Sequence, residues 1–118
     1  MILADTSVWI DHFRVGSKRL QSLLEAGEII CHPFVVGEIA CGSLNNRSEI
    51  LTLLAVLPAA VVAEHHEALT FIDRHDLDGT GLGWVDVHLL ASASLTQCSL
   101  WTLDKALSRA ARRLAISG

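Results

Sequence analysis

The chain has 118 residues, with 9 Lys and Arg against 13 Asp and Glu, a formal net charge of −4, 51% hydrophobic residues and 19% charged ones. This composition excludes a disordered chain, and the acidic balance excludes a basic nucleic-acid arm or a polybasic membrane patch. Nucleic acid stays open as a substrate, because a metal ion can supply the positive charge that the chain lacks.

The length fits a single domain over 1–118, with one real core. The apolar run Met1–Ala4 predicts a short strand. Ser7–Phe13 predicts a helix, and Lys18–Ala26 a second one stopped by Gly27. Glu28–His32 reads as a strand. Pro33 suits the first position of a helix reaching Cys41 or Ser43. Glu49–Leu57 reads as helix, ended by Pro58, and Ala60–Ala63 as a third strand. Glu64–His75 is a further helix, followed by the glycine-rich loop DGTGLG over Asp78–Gly83. Trp84–Thr96 predicts a long apolar helix, Ser99–Thr102 a fourth strand, and Lys105–Leu114 a closing helix. Strands separated by helices predict an α/β fold, a three-layer sandwich around a short, mainly parallel sheet.

Cys31, Cys41 and Cys98 form an odd, sparse set without a Cys-x-x-Cys, which reads as buried free thiols in a reducing compartment. Asp5 comes too early for a signal peptide, and the uncharged stretch Ile50–Ala63, which contains Pro58, is too short to span a bilayer. A cytoplasmic location is expected.

Four acids sit where solvated charge is not expected. Asp5 follows the first strand and Asp104 the last. Glu38 lies in PFVVGEIACG among apolar or small same-face neighbours, Phe34, Val35, Cys41 and Gly42. Asp86 lies in GWVDVHLLASA, on the face of Leu89 and Leu90. Buried acids are rare unless paired or metal-bound. In a parallel sheet the carboxyl ends of the strands line one edge, where ligands bind. Two carboxylates about 4 Å apart repel by on the order of 4 kcal/mol at an effective dielectric near 20, so a converged set requires protons or a divalent cation. All-oxygen donors favour Mg²⁺ or Mn²⁺. Taken singly, Asp5 and Asp104 read equally well as helix N-caps, and Asp86 as a charge in the first turn of its helix.

The segments ADTSVWIDHF, VVGEIACG, WVDVHLLASA and LWTLDKAL, in this order, resemble the PIN-domain family, and within it the VapC toxins of bacterial toxin–antitoxin pairs. The resemblance runs from Met1 to about Leu114. It implies a metal-dependent endoribonuclease in which Asp5, Glu38, Asp86 and Asp104 are the catalytic, metal-holding quartet for Mg²⁺, with Mn²⁺ substituting. Thr6, Ser7 and Thr102 match supporting polar positions. The resemblance also implies an RNA substrate, a homodimer and a VapB-like antitoxin partner, and no DNA binding by this chain alone.

Lys105, Arg109, Arg112 and Arg113 of the closing helix could grip RNA phosphates or simply form a solvated face. The DGTGLG spacing matches no phosphate-loop motif and reads as an entry to the Asp86 helix. His65 and His66 read as surface, and His12 and His88 as structural, with substrate contact as the alternative for the last two. Apolar helices around Leu20–Leu24 and Ile50–Leu57 suggest dimer or antitoxin contact. Ser7 stands where a haloacid-dehalogenase-type phosphohydrolase would want a second Asp, and the paired acids of a receiver domain are missing. The remaining alternative is a catalytically silent binding module acting through a protein partner.

Overall fold

The structure is a computed structural model that describes residues 1–118. Its elements are β1 (Ile2–Ala4), α1 (Thr6–Val15), α2 (Lys18–Glu25), β2 (Ile29–Ile30), α3 (Pro33–Cys41), α4 (Arg47–Ala55), α5 (His65–Arg74), α6 (Trp84–Thr96), β3 (Ser99–Trp101) and α7 (Lys105–Arg113). The sheet has the order β2-β1-β3 and both pairings are parallel, as expected for the α/β sandwich.

Local chemistry sets the boundaries. Ser17 caps α2 by accepting from the Leu20 amide at 3.2 Å. His32 caps α3 through Nδ1, which accepts from the Phe34 amide, and Pro33 occupies the first turn. Gly27 ends the α2 segment at φ 69°, a conformation cheap only for glycine, while the Glu28 amide reaches back to the Leu23 carbonyl. That bond shortens β2 at one end, and the His32 cap shortens it at the other.

The expected strand Ala60–Ala63 does not form. Ala59 makes one parallel bridge to Cys31, closed by bonds from Cys31 to the Pro58 carbonyl and from Ala60 to the Cys31 carbonyl. Thr96 then takes the Val61 amide through its hydroxyl at 2.9 Å and draws the chain toward the end of α6. A matching bridge on the opposite edge, Leu100 to Ser117, was not foreseen.

Leu3, Leu100 and Ile29 of the strands pack with Leu20, Ile39, Leu89, Leu90 and Leu107 of the helices in one buried core. Full burial of each such side chain contributes about 1.5–3 kcal/mol. Seven consecutive residues of α6, Val87–Ala93, are buried, so this helix runs through the interior. Cys31 and Cys98 are buried, and burial pushes both thiols up. Cys41 is exposed, against expectation, because the buried stripe of α3 is Val35 and Ile39. No helix is long and apolar enough to cross a membrane.

Candidate acidic site

Parallel strands all end on the same edge of the sheet, and β1 and β3 deliver Asp5 and the Thr102–Asp104 turn there side by side. The Asp5 amide donates to the Trp101 carbonyl at 2.9 Å, extending the ladder by one bond. The Asp5 side chain is 7% exposed and fully engaged. Its Oδ1 accepts from the Thr6 amide at 2.7 Å. Its Oδ2 accepts from the Ser7 hydroxyl at 2.8 Å and the Thr102 hydroxyl at 2.7 Å. Ser7 also accepts from the Leu103 amide, and Thr102 from the Asp104 amide, each at 3.0 Å.

The cap and site readings of these acids are compatible. Asp5 caps α1, and Asp104 caps α7 by accepting from the Leu107 amide at 2.9 Å. Asp86, in the first turn of α6, accepts from the Gly83 amide at 2.9 Å. In each case the cap fixes the carboxylate's direction at the rim. Glu38 accepts at 2.7 Å from the Thr6 hydroxyl, so Thr6 touches two of the four acids. Glu38 is exposed rather than buried, because it sits one position off the Val35–Ile39 stripe.

Electrostatics tie the four together. The Asp86 carboxyl is raised above the ordinary carboxylate range, first by burial and then by the charges of Asp5, Asp104 and Glu38, against the opposing Gly83 hydrogen bond. No Lys or Arg neutralises the group: the two ion pairs of the protein are Met1–Glu28 and His66–Glu64. Asp86, Asp104 and Glu38 each have one carboxylate oxygen in a hydrogen bond and a second outside this network. No three His, Cys, Asp or Glu side chains stand close enough to hold an ion as they are placed. The donor set nevertheless fits a hard divalent cation: it is all oxygen, anionic and without a counter-charge.

Lys105, Arg109 and Arg112 are exposed on α7, which begins at Asp104. Arg113 is drawn away by a hydrogen bond to the His75 carbonyl. His12 accepts from the Ser17 amide, and the loop before α6 turns at Gly79 and Gly81 with positive φ, so both have the structural roles expected. His65 is exposed but not isolated: its ring lies 5.2 Å from that of Trp84. Sequence reasoning missed that pairing, and also the backbone amides of Gly83 and Leu103 that aim the side chains, whereas the N-cap reading of Asp104 anticipated the Leu107 amide. Only the Asp three residues after Gly83 hinted at one of them.

The family model described as PIN domain matches residues 2–113. The chain is similar to proteins named Ribonuclease VapC32 in two strains of Mycobacterium tuberculosis, at 48% identity over 111 residues, covering 93% of this chain and 90% of each relative. With a family match over almost its whole length and relatives this similar, the chain belongs to the PIN-domain family.

Proposed function

We propose that the protein is a metal-dependent endoribonuclease toxin that hydrolyses RNA phosphodiester bonds at the Asp5, Glu38, Asp86 and Asp104 cluster. The observation that carries this reading is Asp86, whose charged form is opposed by burial and by three other carboxylates with no protein cation to offset them. The ribonuclease name of the similar VapC32 proteins supports it.

In this reading the four carboxylates would hold Mg²⁺, or Mn²⁺ in its place, once drawn together by the ion. The bound ion supplies a Lewis acid for the phosphoryl oxygen and a lowered pKa for the attacking water. The chain's own residues do the positioning. Ser7 and Thr102 lock Asp5 from one side, and Thr6 joins it to Glu38. The Gly83 and Leu107 amides fix one oxygen each of Asp86 and Asp104, and the other oxygen of each would be free to meet an ion. Lys105, Arg109 and Arg112 stand on the helix that begins at Asp104 and would offer phosphate contacts to the RNA.

A VapB-like antitoxin and a second copy of the chain are the proposed protein partners. An apolar groove of about 320 Å³ between α1, α2 and α4, lined by Trp9, Phe13, Leu24, Ile50, Leu53 and Leu57 among others, offers a partner helix a seat. Leu53 and Val56 stand open to solvent at its edge.

The test is RNA cleavage by purified protein with Mg²⁺ or Mn²⁺, beside EDTA and Asp5→Asn. Discrete cleavage lost in both controls is expected. Cleavage that persists in Asp5→Asn would overturn the site. Absence of cleavage across tRNA, ribosomal and messenger RNA pools would favour the silent binding module.

A further inference from the structure

The chain has three tryptophans, and they are not alike. Trp9 is 4% exposed in the core, and Trp101 is partly buried with the Arg19 guanidinium 4.1 Å from its ring centroid. Trp84 keeps 38% of its surface in solvent. It opens α6 directly after Gly83, whose amide holds the Asp86 carboxylate. Exposing a large aromatic ring in the same helical turn as Asp86 gains the fold nothing in burial.

The ring is braced. His65 meets it from α5 at 5.2 Å, and His88 meets it edge-on at 4.6 Å and 84°. His88 is itself 4% exposed and packs on Phe34 at 4.8 Å, and Phe34 packs on the wholly buried His32 at 5.0 Å. Phe34 lies one helical turn before Glu38 on α3. The aromatic row therefore starts on the helix that carries Asp86 and ends on the helix that carries Glu38. It is anchored in the core at one end and open to solvent at Trp84.

We propose that Trp84, held by His65 and His88, is a stacking surface for an unpaired nucleobase next to the phosphate bound at the acids, and so a substrate-positioning residue. This rests on the ribonuclease reading above. An RNA strand that sets a phosphate among the four carboxylates must place its flanking bases within a nucleotide or so of that point. Recognition of single-stranded RNA works by stacking splayed bases on aromatic side chains. A ring already fixed by its neighbours loses little conformational freedom when a base lands on it.

The experiment uses the full chain. Wild type, Trp84→Leu and Trp84→Phe are compared in cleavage of a single-stranded RNA. Binding of the same RNA, and of an abasic oligonucleotide of equal length, is followed by tryptophan fluorescence in Asp5→Asn protein. The expected result is a KM raised about tenfold in Trp84→Leu with kcat little changed, and substantial rescue by Trp84→Phe. The expected fluorescence result is quenching by RNA but not by the abasic strand, lost when Trp84→Phe is added to Asp5→Asn. Equal KM in all three proteins, or equal quenching by the abasic strand, overturns the proposal while leaving the nuclease reading intact. A Trp84→Leu protein whose only change is its oligomeric state would make the ring a protein contact and overturn it as well. A wild type that cleaves no RNA removes both readings together.

Discussion

Asp5 and Thr102 stand 97 residues apart in the chain and meet through a 2.7 Å hydrogen bond. The Thr102 hydroxyl donates to Oδ2 of Asp5 and accepts from the Asp104 amide, so one small side chain orients two of the four acids.

Replacing that hydroxyl by a methyl group tests its role. Thr102→Val is expected to lower stability by about 1–2 kcal/mol, because it leaves part of a buried carboxylate and a backbone amide without a partner. It is also expected to reduce kcat at least about tenfold, since a misaligned carboxylate holds the reacting groups poorly. Thr102→Ser should recover most of both. Urea unfolding and a cleavage time course read the two effects separately.

Removing one charge from the cluster should separate stability from activity. Asp86→Asn keeps an oxygen for the Gly83 amide but ends the burial and repulsion that oppose the charged form. In metal-free buffer its melting temperature should rise, by about 4 °C for each roughly 1 kcal/mol of opposition removed in a domain of this size. Cleavage should be lost. Added Mg²⁺ should stabilise wild type and leave Asp86→Asn unmoved, as ligand linkage requires. Calorimetry with and without Mg²⁺ decides it, and a lower melting point for the variant in EDTA would contradict the electrostatic account.

His32 sets a pH dependence away from the acids. Burial pushes its imidazole down to about 4, with the His88 charge adding to the effect. Its two nitrogens are held by the Phe34 amide and the Ser92 hydroxyl. Because the folded value lies below the unfolded value of about 6.5, the unfolded chain binds more protons between them. The contribution to stability is complete above pH 6.5 and is lost as the pH falls toward 4, reaching on the order of 3 kcal/mol. Denaturant midpoints for wild type and His32→Gln, taken across this range, should draw together as the pH falls. A constant gap would show that the imidazole does not titrate there.

The cations of α7 should act through salt. Lys105→Gln or Arg109→Gln is expected to weaken RNA binding alike across sequences and to flatten the dependence of log affinity on log salt by about 1. Arg113→Gln should leave that slope unchanged, because its guanidinium is committed to the His75 carbonyl. Filter binding at several salt concentrations measures the slope.

Much of this was legible in the sequence. The helices were readable because their ends carry strong local signals: Pro33, Gly27 and the acids before α1 and α7 act within a few residues. The parallel sheet followed from the alternation of elements, and the acids at strand ends from the direction of parallel strands. The failures share a physical cause. Ala60–Ala63 looks like a strand, but the Thr96 hydroxyl, 35 residues away, takes the Val61 amide. Glu38 looks buried by helical spacing, yet the Val35–Ile39 stripe leaves it outside. Cys41 was misjudged for the same reason. Burial and edge pairing depend on distant partners, and the chain writes those only faintly in local composition.

The central strand of the sheet, β1, is made before both of its neighbours, and β3 follows only after six helices. During synthesis Asp5 leaves the ribosome early, with no Thr102 or Trp101 to receive it. β1 has only β2 to pair with until Ser99–Trp101 emerges. A nascent or truncated chain that stops before β3 therefore carries Asp5, Glu38 and Asp86 without the Thr102 that orients Asp5, and closing so long a loop is a slow, late event. The catalytic centre proposed here is completed only once Thr102 and Asp104 have been made and have returned to the end of β1.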